Sequence, residues 1–212
     1  LCPRMCAVDR KSGERGICGQ TTEIKVARAA LHFWEEPCIS GEMGSGAVFF
    51  SGCALHCVFC QNENIANGTA GKVISTERLG KIFLELQEKG ANNINLVTPG
   101  QFVPQIIKAV ELARNQNLKI PIVYNTSSYE NVDTIRSLEG IVDIYLPDFK
   151  YFDTALSAKY SHAPDYPAVA KAVIAEMVRQ TGAAVFENGE DSLMKRGTIV
   201  RHLILPGCTK DS

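Results

Sequence analysis

The sequence predicts an α/β fold built on a parallel sheet. Two observations carry this. From residue 46 onward, short apolar runs of strand length alternate with longer runs of helical periodicity. Turn-forming or polar residues also recur at the end of each predicted strand, as they do where strands open onto one rim. No internal repeat, linker or low-complexity segment interrupts the pattern. The 212 residues suffice for one sizeable domain or for most of a larger one.

Taken in order, residues 1–20 hold Cys2, Cys6 and Cys18 among Gly, Arg and Pro, with little apolar periodicity. Such a segment cannot bury a core of its own, so a metal is a plausible staple, zinc or a second iron–sulfur cluster, against the alternative of a flexible leader with free thiols. A fourth ligand would lie just before Leu1 or be Cys38. Residues 21–46 contain an alternating run, 23–34, that reads as an irregular or edge strand and ends near His32 and Trp34, which read equally as packing or as chemical residues. Residues 47–50 form a short buried strand. Residues 75–89 put Leu79, Ile82, Phe83 and Leu86 on one helical face, with Ser75 or Thr76 capping the start and Gly90 ending it.

Residues 93–98 read as a strand closed by Pro99-Gly100, and 104–115 as a helix with Ile107, Val110 and Leu112 among its apolar positions. Residues 120–124 form a third strand. Residues 130–138 form a helix ended by Gly140. Residues 141–146 form a fourth strand, which Pro147-Asp148 breaks. Helices follow at 153–160 and 165–181. Residues 187–190 carry a hairpin turn signal with short strands on either side, and 198–205 is the last strand. A barrel and an open doubly wound sheet both satisfy this alternation.

Composition excludes several classes. A net charge of −1 gives no electrostatic case for nucleic acid or an anionic membrane. No apolar run approaches the ~20 residues of a membrane span, and no signal-peptide pattern opens the chain. Eight cysteines without a secretory signal point to ligands in a reducing compartment, hence the cytoplasm, rather than to disulfides.

Cys53, Cys57 and Cys60 stand at a C-x3-C-x2-C spacing, with Phe59 just before the last. That spacing lets a short loop wrap one corner of a cubane iron–sulfur cluster, whose iron needs soft thiolate ligands. Four cysteines would close such a cluster for electron transfer, whereas three leave one iron open to a small molecule. Structural zinc wants four ligands in paired C-x2-4-C units, and His56 stands at the wrong place to complete one.

These residues match the signature of the radical S-adenosylmethionine (radical SAM) superfamily. Residues 46–207 resemble the pyruvate formate-lyase activating enzyme group, closest to a poorly characterised branch of its homologues. Residues 50–62 carry the sharpest likeness, and Leu-Cys-Pro-Arg-Met-Cys extends it to residue 1. The resemblance implies a partial (β/α)6 barrel over 46–212, continuing past Ser212 in the full protein, behind an N-terminal Cys-containing segment, 1–45. It implies a [4Fe-4S] cluster on Cys53, Cys57 and Cys60, with S-adenosylmethionine chelated at the open iron and cleaved reductively to a 5′-deoxyadenosyl radical that abstracts hydrogen.

By the same resemblance Phe59 packs near the adenine, while Gly52, Gln61 and Asn62 shape the loop. Thr98 and Pro99 occupy the place where many members have Gly-Gly-Glu for the cofactor's amino group, a motif absent here. Asn125, Thr126 and Ser127 approach the ribose or methionyl part. Asp148 and Lys150 form a charged pair at cofactor or substrate, and Lys150 or Arg201 pairs with the methionyl carboxylate. The implied partners are a flavodoxin or ferredoxin reductant and a glycyl-radical enzyme as target. The alternatives are another radical SAM substrate, a non-catalytic iron–sulfur carrier and a zinc-stabilised interaction module.

Overall fold

A computed structural model describes residues 1–187 and 192–211. Its strands are β1 (Ile24–His32), β2 (Ser45–Phe50), β3 (Lys72–Ile74), β4 (Ile94–Val97), β5 (Ile122–Thr126), β6 (Ile144–Phe149), β7 (Val185–Phe186), β8 (Met194–Thr198) and β9 (Arg201–His202). The helices are α1 (Pro37–Ser40), α2 (Glu63–Ala66), α3 (Thr76–Glu88), α4 (Val103–Asn115), α5 (Val132–Arg136), α6 (Thr154–Ser161) and α7 (Tyr166–Thr181). One sheet joins the strands in the order β3-β1-β2-β4-β5-β6-β8-β7, with β9 also on β6. From β2 to β8 the neighbours are parallel and follow chain order. Strand order does not reverse, as it would in a doubly wound sheet, so the winding is that of a partial barrel.

The two faces of the sheet separate by period-2 alternation. Ile94, Leu96, Ile122, Tyr124 and Tyr145 point outward into the main core with α3, α4 and α7. Their neighbours Val123, Ile144 and Leu146 point inward and meet Ile39 of α1 and Met194, with Cys38 packed alongside. The short helix α1 therefore covers part of the inner face. α3 forms where the sequence placed it: Ser75 accepts a hydrogen bond from the Arg78 N–H at 3.1 Å, Leu79, Ile82, Phe83 and Leu86 are buried, and Gly90 leaves the helix at φ 87°.

Several boundaries differ from expectation. β1 is irregular as read, with a register shift between Val26 and Arg28, and β3, which carries no clear strand pattern, covers its outer side only over Ile24–Val26. Trp34 is exposed rather than packed, while His32 meets Phe49 edge-on. β5 runs two residues further than read, taking in Asn125 and Thr126, and the helix after it is shortened to Val132–Arg136, leaving Glu130 in the connection. Pro147 and Asp148 do not end β6, which continues to Phe149. Instead Pro147 interrupts its neighbour. β8 and β9 keep one register along β6, Ile144 opposite Gly197 and Asp148 opposite Arg201. The Ile199 N–H donates to the Tyr145 carbonyl at 2.9 Å. The next rung of a parallel ladder would run from the N–H of residue 147, and proline has none. The single strand read at 198–205 is therefore two pieces that start earlier and end at His202. β7 and β8 pair antiparallel as the hairpin reading requires, but residues 188–190 of its turn lie outside the described residues.

Candidate metal and cofactor site

The parallel strands deliver their C-terminal ends to one rim. β2 ends in Ser51-Gly52, and Cys53 opens the loop that carries all three predicted ligands. Gln101, from the segment after β4, ties the rim together: its side-chain amide donates to the carbonyls of Ser51 at 2.9 Å, Gly52 at 3.0 Å and Thr98 at 2.9 Å. Thr98 itself sits in the left-handed region at φ 55°, an uncommon conformation for a β-branched residue and one that concentrates at functional turns. His56, between Cys53 and Cys57, is left-handed too, and its ring bonds the Ile17 carbonyl at 2.9 Å.

The three thiols share a loop and a field. Burial pushes the Cys53 thiol up, and the neighbouring Cys57 and Cys60 push it the same way. Cys57 Sγ accepts a hydrogen bond from Ser161 Oγ at 3.1 Å, the kind of contact that tunes a cluster sulfur. Among the described residues no three His, Cys, Asp or Glu side chains already stand as a ligand set, so closing on a cluster requires side-chain movement within the loop. The donor chemistry fits an iron–sulfur cluster: three soft thiol donors follow one strand end, and two of them already accept a hydrogen bond at sulfur, Cys57 from Ser161 and Cys53 from the Leu55 N–H at 3.4 Å. Phe59 is partly exposed, edge-on to Tyr151 and Tyr160 at ring distances of 6.2 and 6.3 Å.

The predicted cofactor residues fall into two groups. Asn125, Asp148, Lys150 and Arg201 join one network. Arg201 donates from Nε to Asp148 at 2.8 Å, and its two terminal nitrogens reach Glu35 at 3.0 Å and the Asn125 side-chain oxygen Oδ1 at 2.6 Å. Lys150 Nζ reaches the other Asp148 oxygen at 2.6 Å. Glu35 also accepts from the side-chain amides of Asn95, at 2.6 Å, and Asn125, at 3.1 Å. Desolvation pushes its carboxyl above the usual range, with Arg201 opposing. This network is partly buried.

Thr98, Thr126 and Ser127 instead line a cavity of about 260 Å³ together with Cys53. The Thr126 hydroxyl is committed to Glu130, which also accepts from Tyr124 at 2.5 Å. Burial pushes the Glu130 carboxyl up, and these hydroxyls oppose it. Pro99 caps the short turn Gly100–Phe102, and neither it nor Phe59 lines that cavity. Glu35, Glu130 and Ser161 were not singled out from sequence. Glu130 stands at the start of the helix read at 130–138, and nothing local marks any of the three.

The N-terminal segment lies against this rim. Arg4 donates to the carbonyls of Ala54 (2.8 Å), Leu55 (3.3 Å), Ser161 (2.8 Å) and His162 (2.5 Å). Arg10 donates to those of Gln101 (2.8 Å), Gln20 (3.2 Å) and Thr21. Cys2, Cys6 and Cys18 line the same cavity as Cys53. Cys38 does not; it packs against the inner-face core. All eight cysteines are free thiols. No helix among the described residues is long and apolar enough to cross a membrane.

A partial parallel barrel that presents a C-x3-C-x2-C loop at its first parallel strand defines a class of cluster-binding α/β proteins. The chain belongs to the radical SAM superfamily, whose domain matches residues 47–184. That family implies a [4Fe-4S] cluster and S-adenosylmethionine. The chain is also similar to "Uncharacterized protein MJ0674" of Methanocaldococcus jannaschii, 27% identical over 213 residues that cover 97% of this chain and 56% of that protein. It thus spans about half the length of this curated relative.

Proposed function

We propose that this chain is the core of a radical SAM enzyme, with Cys53, Cys57 and Cys60 as ligands of a [4Fe-4S] cluster. When bound, that cluster supplies the electron that cleaves S-adenosylmethionine to methionine and a 5′-deoxyadenosyl radical for hydrogen abstraction. The observation that carries this reading is the three-cysteine loop at the end of β2, inside the matched family domain. The protein's own contribution is placement. Ser161 holds Cys57 by its sulfur. Gln101 fixes the β2 and β4 ends to each other. Arg201 is held by Asp148, Glu35 and Asn125 at the inner side of the strand ends, where it supplies a cation for the methionyl carboxylate, and Asn125 adds an amide beside it. Thr98 and Pro99 take the place of the missing Gly-Gly-Glu, the Thr98 hydroxyl and backbone carbonyls acting as acceptors for the amino group. Phe59 offers a partly exposed ring to the adenine.

The finer reading is that the target is a glycyl-radical enzyme and the reductant a flavodoxin or ferredoxin in the cytoplasm. It rests on the resemblance over residues 46–207 alone. The test of the core reading is anaerobic cleavage of S-adenosylmethionine under dithionite. The reconstituted chain should release methionine and 5′-deoxyadenosine, and Cys57→Ala should release neither. Equal cleavage by Cys57→Ala would remove the cluster from this loop.

A further inference from the structure

The N-terminal segment has no helix or strand before Ile24, yet it is fixed on the rim of the barrel. Polar contacts to backbone hold it: the Arg4 and Arg10 side chains to carbonyls, and the Asn131 N–H and Thr134 hydroxyl to the Leu1 carbonyl at 3.3 and 3.1 Å. These contacts place its three cysteines on one cavity wall, although they are separated by up to sixteen positions in sequence.

Two glycines set the backbone around Cys6 and Cys18, although the three thiols, like those of the cluster loop, would need side-chain movement to close on a metal. A Cβ on Gly16 would stand 2.7 Å from Cys6 Sγ, so only glycine lets the 16–18 turn close onto that sulfur. With the turn closed, the Ile17 N–H donates to Cys6 Sγ at 3.3 Å, leaving the sulfur's remaining lone pairs for another partner. Gly52, at φ 85°, lies so near the Cys18 carbonyl that a Cβ would run into it. The backbone of Cys18 is thereby locked against the residue before Cys53, and His56 fixes the neighbouring Ile17 carbonyl. An N–H bond to sulfur, a glycine cradle under that sulfur and three thiols on one cavity wall are the parts of a thiolate metal centre.

We infer that Cys2, Cys6 and Cys18 hold a thiophilic metal centre, zinc or iron–sulfur, in the wall of the cavity that Cys53 also lines, and that this centre staples the N-terminal segment to the cluster loop. The centre is separate from the one assigned to Cys53, Cys57 and Cys60, and either assignment can fail without the other.

The test uses two variants of the whole chain: Cys53→Ser/Cys57→Ser/Cys60→Ser and Cys2→Ser/Cys6→Ser/Cys18→Ser. Zinc, iron and acid-labile sulfide are measured on each after anaerobic reconstitution and desalting. The first variant is expected to keep stoichiometric metal. Zinc without sulfide identifies a mononuclear centre, and iron with matching sulfide a cluster. The second is expected to lose that metal while keeping the iron of the other site. A first variant with no bound metal, or a second with the full complement of the unmodified chain, overturns the inference. A second variant that instead lacks the other site's iron, while the first keeps its metal, counts against the cluster loop alone. Should the second variant not fold, alkylation of the unmodified chain decides. Cys2, Cys6 and Cys18 should resist iodoacetamide until a chelator is added, and full alkylation of Cys6 in the metal-loaded chain overturns the inference.

Discussion

Single residues divide into those legible in sequence and those that only the fold brings in. The proposed ligand triad was legible because its members are local: three thiols within eight positions suggest a shared ligand role without tertiary structure. Ser161 reaches Cys57 from 104 positions away, and Glu35 reaches Arg201 from 166, so no window of sequence could pair them. Ser161→Ala should leave iron and sulfide bound but lower the cluster's reduction potential. A hydrogen bond to sulfur favours the more negative reduced state, and its loss disfavours it. A potentiometric titration with EPR readout checks this, and an unchanged midpoint would remove Ser161 from the cluster's surroundings. Asn125→Ala should weaken S-adenosylmethionine binding while iron content holds, as measured by calorimetry on the reconstituted chain.

Glu130 has a pH signature. Its folded carboxyl holds its proton above the ordinary value of 4.5 because it is buried. As pH rises past 4.5 the unfolded chain releases that proton first, so the folded state loses stability through the window from 4.5 up to the raised folded value. Glu130→Gln should flatten that part of the pH dependence in urea unfolding, and an identical slope in both proteins would contradict the assignment.

At the scale of elements, the long helices were read best because periodicity fixes their faces and, for α3, Ser75 and Gly90 fix its ends, whereas α5 stops at Arg136, short of the expected Gly140. Strand ends were read less well. A proline or a polar pair looks like a terminator, but β6 carries Pro147-Asp148 inside it. Its neighbour absorbs the cost by splitting into β8 and β9. The same extension brings Asp148 opposite Arg201, so the misread boundary is also where the charge network forms. Arg201 joins β9 to β6, β5 and the β1–α1 connection. Arg201→Ala would leave Glu35 and Asp148 without their shared cation. Breaking a fully buried pair costs about 3–5 kcal/mol; with Arg201 29% exposed, about 2 kcal/mol is expected in urea unfolding. On the outer face, Phe83→Ala should cost about 3–5 kcal/mol, since its ring is wholly enclosed between the sheet and α4.

For the whole molecule, the parallel strands β2, β4, β5, β6 and β8 follow chain order and turn their C-terminal ends to one rim, where the cysteine loop and the Arg201 network lie. The N-terminal segment closes over part of that rim through arginine-to-carbonyl contacts that its composition alone could not reveal, because each carbonyl partner lies on another element. The central claim is that the rim holds a cluster with one iron open to S-adenosylmethionine. Anaerobic reconstitution with iron and sulfide, followed by EPR of the reduced chain with and without S-adenosylmethionine, tests it most directly. A [4Fe-4S]+ signal whose g-values shift on adding the cofactor is the expected result. A cluster signal indifferent to the cofactor, or tightly bound zinc in place of any cluster at Cys53, Cys57 and Cys60, would contradict it.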